Sequence, residues 1–317
     1  MSSVSFPSFA KINWTLEVLG RRSDGYHELR TILQTISLHD TLTFTLTDRE
    51  AIEIICDVPD IPADERNLVH RAASLLAEYG GIRPRLRIEL KKNIPAAGGL
   101  GGGSGNAAAT LLALQQLWDL KLPPRDLFAL ASRLGADVPC FLLGGTMIGI
   151  GRGDEIYPLP DIEARHILLV NAGIAMPTAE VYGSLPPELT KPLPISILPF
   201  SFEAAYRSVA SPRDHHASSG HFPVGQWLRN DLEQAVYLKH PLLSEIRGCL
   251  KSAGASGAMM SGSGSTVFAI FDSETLLVAA ETQLQQMAQP AARWWTARAR
   301  TLGRDEYQSY FSSRVSD

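Results

Sequence analysis

The chain has 317 residues, 45% of them hydrophobic, an ordinary globular composition in a length that exceeds one usual core, so two domains are expected. Its 29 Lys and Arg against 33 Asp and Glu give a net charge of −4, which excludes a basic footprint for nucleic acid and confines any anion site to a local cradle. Cys56, Cys140 and Cys249 show no Cys-x-x-Cys spacing, the start has no basic or apolar leader, and no run of about 18 apolar residues occurs, so a cytoplasmic protein without disulfides or membrane spans is expected.

From Phe9 to Leu16 the residues alternate, setting Ala10, Ile12, Trp14 and Leu16 on one face of a strand and Lys11, Asn13 and Thr15 on the other. The first face is core; the second is expected to be exposed and free to carry chemistry. Arg21-Arg-Ser-Asp-Gly25 supplies an Asp-Gly turn, and Tyr26-His27 follows it, a place where a flat base could stack. Strands are expected over 31–46 and 52–58, giving an antiparallel start. Asn67 reads as the N-cap of a helix with Leu68, Ala72, Leu75, Leu76 and Tyr79 on one stripe.

The strand pattern of Leu86-Arg-Ile-Glu-Leu90 then leads to the stretch on which the chain is centred: Pro95, Ala96, Ala97, Gly98, Gly99, Leu100, Gly101, Gly102, Gly103, Ser104 and Gly105. A helix follows, with Ala107, Leu111, Leu114 and Trp118 at helical spacing. Six of the eight residues from 98 to 105 are glycine, more than a tight turn needs. Glycines let backbone N–H groups converge, and a helix start adds unpaired donors, so the pattern suits a phosphate. It is not a Walker loop, because no Gly-x-x-x-x-Gly-Lys-Ser/Thr occurs. A dinucleotide fingerprint can be fitted to Gly103-Ser-Gly-Asn-Ala-Ala108, but the next carboxylate, Asp119, ends the same helix instead of a second strand.

Leu127, Leu130, Ala131 and Leu134 mark a helix ended by Gly135, and Asp137 in Gly135-Ala-Asp-Val-Pro139 reads locally as a turn carboxylate. A glycine-rich segment, 142–153, closes this half. The pattern restarts near Pro160 with a buried strand over 166–170, and the stretch 176–182 enters an irregular region, 183–225. That region holds His215, His216 and His221 but no Cys or carboxylate at ligand spacing, so it reads as a surface insertion. Trp227, Leu228, Leu232 and Val236 suggest a helix, as do Leu242, Leu243, Ile246 and Leu250. A glycine- and serine-rich loop over 253–266, a strand over 267–271, a helix near 275–287, a strand over 292–299 and a polar tail complete the order.

Four stretches in sequence resemble the GHMP small-molecule kinases. They are Ala10-Lys-Ile-Asn13 with Gly25-Tyr-His27, then Pro95 to Ala108, then Gly135-Ala-Asp-Val-Pro139, then Met260-Ser-Gly-Ser-Gly264. The resemblance implies an α+β, two-domain GHMP kinase fold: a ribosomal protein S5 domain 2-like half over 1–160 and a ferredoxin-like half over 161–317 with the Pro-rich insertion near 183–225. ATP and Mg²⁺ are the implied cofactors. ATP phosphates would lie on Pro95 to Gly105, with Asn67, Leu68 and Lys92 at the adenine and ribose end. By the same resemblance Asp137 is the catalytic base, Lys11 its partner, and Asn13 lies beside the reacting hydroxyl. The pairing of Lys-Ile-Asn with Asp-Gly-Tyr-His points to members whose small-molecule substrate carries a cytidine diphosphate group. Tyr26 and Tyr182 would then sandwich the cytosine, His27 would read its edge, and Thr178 would line the sugar-alcohol side. Many members have Ser-Ser-Asp-Ala-Ala where this chain has Ser104-Gly105-Asn106-Ala-Ala, which leaves Ser104 as the local metal candidate. No nucleic-acid or membrane partner is implied, and monomer and homodimer both stay open. Rival readings are a kinase for another alcohol, of the homoserine or mevalonate type, and a non-catalytic sensor or nucleic-acid-binding module on the same fold. Two rings facing one slot favour a substrate with a flat base.

Overall fold

The computed structural model describes residues 3–191, 227–287 and 294–312. The expected insertion therefore lies outside the described residues except for its first part, and His215, His216 and His221 lie outside them altogether.

Strands β1 (Ser3–Arg21) and β2 (His27–Leu46) form one long antiparallel hairpin, closed by the Asp-Gly turn, where the Arg22 amide donates to the Tyr26 carbonyl at 2.8 Å. β3 (Ala51–Cys56), α1 (Leu68–Gly80) and β4 (Arg85–Lys91) follow as the patterning indicates. Asn67 caps α1, its side chain accepting from the Val69 amide at 2.9 Å. α2 (Gly102–Leu117), α3 (Pro124–Leu134) and α4 (Cys140–Leu143) precede β5 (Thr146–Gly151) and β6 (Glu155–Pro158). β5 occupies the segment expected only to be glycine-rich, and β6 follows directly after it. β5 extends the sheet because β2 is long enough to hold β5 along its first half and β4 along its second. The sheet runs β3-β4-β2-β1, with β5 and β6 branching from β2.

The C-terminal half begins with β7 (His166–Asn171), α5 (Thr178–Gly183) and α6 (Pro187–Thr190). The chain re-enters at Trp227. Here the structure departs from the expected helix: Arg229–Asn230 forms β8, which adds to the N-terminal sheet in parallel with Thr15 and Leu16, and α7 (Glu233–Lys239) starts only afterwards. The apolar spacing of Trp227 and Leu228 mimicked a helix, whereas both residues pack between the sheets. α8 (Pro241–Ser252), β9 (Gly257–Met260), β10 (Val267–Phe271), α9 (Glu274–Met287), β11 (Trp295–Arg300) and α10 (Arg304–Ser312) complete the described chain. The second sheet has the order β11-β7-β10-β9 with every pair antiparallel, the arrangement of a ferredoxin-like βαββαβ unit.

Packing explains why Lys11 and Asn13 are 3% exposed and not solvated. β1 is covered on both faces. Phe6 and Phe9 join the core under α1, α2 and α3, while Ala10, Ile12 and Trp14 pack with Ile167, Leu169 and Phe268 of the second sheet. The regular alternation also breaks: pairing with β2 shifts at Phe9/Ala10, Asn13/Thr15 and Val18/Gly20, irregularities that re-aim side chains near sites. The tail does not stay in solvent. Leu302, Tyr307 and Phe311 enter the N-terminal core, with the Phe311 ring stacked on Phe6 at 5.9 Å. A Leu or Phe side chain buried in this way contributes about 1.5–3 kcal/mol.

Candidate active site

A cleft of about 1130 Å³ lies between the halves, lined by the glycine loop, the Lys11 face of β1, the hairpin end, Asp137 and the start of α5. The loop reaches its shape through left-handed backbone at every second residue, with φ of 52° at Ala97, 76° at Gly99 and 70° at Gly101. Alternating handedness turns consecutive amides toward one point, the nest geometry that suits an anion. α2 then starts at Gly102, earlier than expected, so three glycines sit within its first turn. The first helical bond runs from the Gly105 amide to the Gly101 carbonyl at 2.8 Å, which leaves the amides of Gly102, Gly103 and Ser104 without a helical acceptor.

Several of these glycines are required by close approach. A Cβ on Gly99 would lie 2.1 Å from the Ser261 carbonyl oxygen, and one on Gly101 would lie 2.8 Å from the Phe141 ring. Gly105 differs from the expectation. It does not line the cleft: it is buried in α2, where a Cβ would meet the Phe9 carbonyl at 2.7 Å, so its glycine serves helix-to-strand packing.

Lys11 joins the parts. Its ammonium donates to Asn13 Oδ1 at 2.8 Å and to the Gly99 carbonyl at 3.1 Å, and lies 3.6 Å from Asp137 Oδ2. Asn13 is oriented in turn, donating to Thr31 Oγ1 at 2.7 Å, while the Thr31 hydroxyl donates to the Thr15 carbonyl at 2.6 Å. The Asp137 side chain keeps 43% of its exposure and faces the cleft. A buried cation beside a half-exposed carboxylate holds that carboxylate in place without withdrawing it from a ligand.

The remaining expected residues separate into two ends. At one, Leu68 lies 3.7 Å from where a Gly103 Cβ would be, and Lys92, ion-paired with buried Asp40, lies 3.3 Å from the Gly102 position. Asn67 lines the same end while serving as the α1 cap. At the other, His27 stacks on Tyr182 with ring centroids 5.1 Å apart, and Arg152 lies 5.2 Å over the Tyr26 ring. The ring against Tyr182 is thus His27, not Tyr26. Burial first, then the Arg21 charge, holds the His27 imidazole below its ordinary value, so it is neutral at pH 7. Burial and the Asp137 charge push the Tyr182 phenol far up, so it remains a donor. Thr178 Oγ1 is 3.1 Å from Ser263 Oγ, which ties α5 to the second glycine turn.

That second turn is the part sequence reasoning underused. Gly262 and Ser263 line the cleft, and Ser261 Oγ donates to the Gly99 carbonyl at 3.0 Å, the oxygen Lys11 also uses. The Gly262-Ser-Gly264 pattern was its signal. Arg21 and Arg152 also line the cleft, with nothing in their local sequence to mark them. Among the described residues no three His, Cys, Asp or Glu groups converge to hold a metal ion, and no helix is long and apolar enough to cross a membrane.

The GHMP kinases N terminal domain family matches residues 67–145, and the GHMP kinases C terminal family matches residues 221–289. A 4-diphosphocytidyl-2-C-methyl-D-erythritol kinase of Citrifermentans bemidjiense is 37% identical over 293 residues, covering 92% of this chain and 97% of that protein. One of Geobacter sulfurreducens is 37% identical over 302 residues, covering 95% and 100%. A crystal structure of 4-(cytidine 5'-diphospho)-2C-methyl-D-erythritol kinase superposes with a TM-score of 0.71 at 34% identity, covering 94% of this chain and 100% of that one. The chain belongs to the 4-diphosphocytidyl-2-C-methyl-D-erythritol kinases, within the GHMP kinase family. This ATP-dependent kinase has the family's two-domain fold. A homoserine kinase of Cytophaga hutchinsonii, at TM-score 0.68 but 18% identity, shares the fold alone.

Proposed function

We propose that the kinase transfers the ATP γ-phosphoryl group to the 2-hydroxyl of 4-diphosphocytidyl-2-C-methyl-D-erythritol, a step of the non-mevalonate route to isoprenoid precursors, with Asp137 as general base and Lys11 as its partner. The observation that carries this reading is the placement of one ammonium between the Gly99 carbonyl of the anion cradle, at 3.1 Å, and Asp137, at 3.6 Å. Phosphoryl transfer depends mainly on positioning and on neutralising charge. The amides of Gly102, Gly103 and Ser104 would receive phosphate oxygens without reorganising. Asp137 would take the proton of the acceptor hydroxyl as that oxygen bonds to phosphorus. Lys11, unable to leave its pocket, would stabilise the negative charge that grows on the oxygen.

Magnesium fits this site only in its usual ATP-bound form, because it keeps water and phosphate oxygens and needs one or two protein groups. The Ser104 hydroxyl, in the first turn of α2, would be the protein's contribution, and the ion would neutralise phosphate charge. Tyr26, His27 and Tyr182 would form the corner for the cytosine, Thr178 the wall for the sugar alcohol, and Asn67, Leu68 and Lys92 the adenine and ribose end.

The test is incubation with ATP and Mg²⁺ against a panel of alcohols, reading new phosphomonoesters by mass. A product from the cytidyl-linked alcohol is expected; a product only from homoserine or mevalonate would overturn the assignment. In the same assay Tyr182→Ala is expected to raise KM for the cytidyl substrate about tenfold, the weight of a lost ring stack of about 1.4 kcal/mol, with KM for ATP unchanged. Equal KM values for both proteins would remove Tyr182 from the cytosine corner.

A further inference from the structure

We infer that Asn230 is a positioning residue for the phosphoryl-transfer site, holding the second glycine turn against Lys11; the inference rests on the role proposed for Lys11. Asn230 is 6% exposed and its side-chain amide makes three hydrogen bonds. Its Nδ2 donates to the Met260 carbonyl at 2.9 Å and to the Gly262 carbonyl at 2.8 Å, while its Oδ1 accepts from the Leu232 amide at 3.0 Å. No other residue type of this size presents two donors and an acceptor in one plane.

What Asn230 holds lies at the reacting centre. A Cβ on Gly262 would stand 3.2 Å from Lys11 Nζ and 3.5 Å from Asn13 Oδ1, and 3.1 Å from the Gly99 carbonyl. Ser261, next in the turn, shares that Gly99 carbonyl with Lys11. The turn is therefore one wall of the Lys11 pocket, although it belongs to the second sheet and Lys11 to the first.

What holds Asn230 is the strand that carries Lys11. β8 pairs in parallel with β1, Asn230 opposite Leu16, and the Asp231 amide donates to the Leu16 carbonyl at 2.9 Å. Both neighbours of Asn230 are fixed as well: Arg229 donates to Glu17 Oε1 at 2.9 Å, and Asp231 Oδ2 accepts from the Val18 amide at 2.9 Å. Residues 16 to 18 of β1 thus carry a bracket whose far end sets the turn facing residues 11 and 13. Asn230 converts the register of one strand into the distance between two domains at the ammonium.

The experiment compares Asn230→Asp, Lys11→Arg and the combined variant with the unaltered kinase by steady-state kinetics on folded protein, folding being checked by near-UV circular dichroism. N230D keeps the shape and the acceptor but removes both donors. Expected are a fall in kcat of about tenfold or more with KM for ATP within about threefold, and a combined variant no slower than K11R alone, because both changes disturb one pocket. A merely structural Asn230 would give reductions that multiply. Multiplying losses, or a kcat for N230D within about twofold of the unaltered kinase, overturn the inference. If K11R alone turns over normally, the role of Lys11 fails instead, which separates the two outcomes. Should N230D not fold, Ser261→Ala frees the same turn from Gly99, and its combination with K11R is judged by the same criteria.

Discussion

Asp137→Asn is expected to lower kcat by about two to four orders of magnitude while leaving the affinity for ATP within about threefold, read by steady-state kinetics and by equilibrium binding of ATP. The amide matches the carboxylate in shape but has no basic oxygen to accept the hydroxyl proton. The fold tolerates the change because Asp137 is half exposed and Lys11 keeps its hydrogen bonds to Asn13 Oδ1 and the Gly99 carbonyl. On the proposed reading ATP binding is insulated, because the cradle amides belong to residues 102–104 and make no use of the Asp137 side chain. Normal turnover by this variant would remove Asp137 as the base.

Gly99→Ala is expected to reduce kcat/KM for ATP by about a hundredfold or more. Two costs combine there. The residue has φ 76°, which a non-glycine residue adopts at a cost of about 1–2 kcal/mol, and its Cβ would lie 2.1 Å from the Ser261 carbonyl oxygen. Neither neighbour can yield freely, since Ser261 and Lys11 both donate to the Gly99 carbonyl, so the displacement passes into the cradle and the ammonium together. A combined disturbance of about 2.7 kcal/mol in the transition state gives the stated factor. Gly81→Ala is the control: its φ of 63° imposes similar backbone strain at the end of α1 with nothing within 4 Å of the new methyl. Its thermal midpoint should fall and its kcat/KM should not. Equal kinetic losses in both variants would trace the effect to strain alone.

The cradle was legible because glycine density is a local property, and so was the Asn67 cap, which needs only an N-cap side chain before an apolar stripe. The hairpin followed from Asp24-Gly25 in the same way. What stayed hidden depends on partners remote in sequence. Lys11 reads as a solvated charge in an alternating strand, and it is buried by segments remote in sequence, the glycine loop at Gly99 and Gly101 and the turn at Gly262. Arg229–Asn230 is too short to show a strand period, and its pairing with Thr15 and Leu16 is set by tertiary position. Gly105 looks like its neighbours in the loop, yet its hydrogen faces the Phe9 carbonyl and not the cleft. The stacking of His27 on Tyr182 joins two aromatics that no spacing rule connects.

The docking of α10 has a consequence for biosynthesis. Tyr307 donates its hydroxyl to the Phe141 carbonyl at 2.5 Å, directly behind the segment that carries Asp137, and Phe311 fills space beside Phe6 near the opposite end of the chain. A ribosome making this protein therefore exposes the N-terminal half before the segment that completes its core has been made. Until residues 302–311 have left the exit tunnel, the emerging half carries an open apolar seam, and the segment with Asp137 lacks the backing of Tyr307.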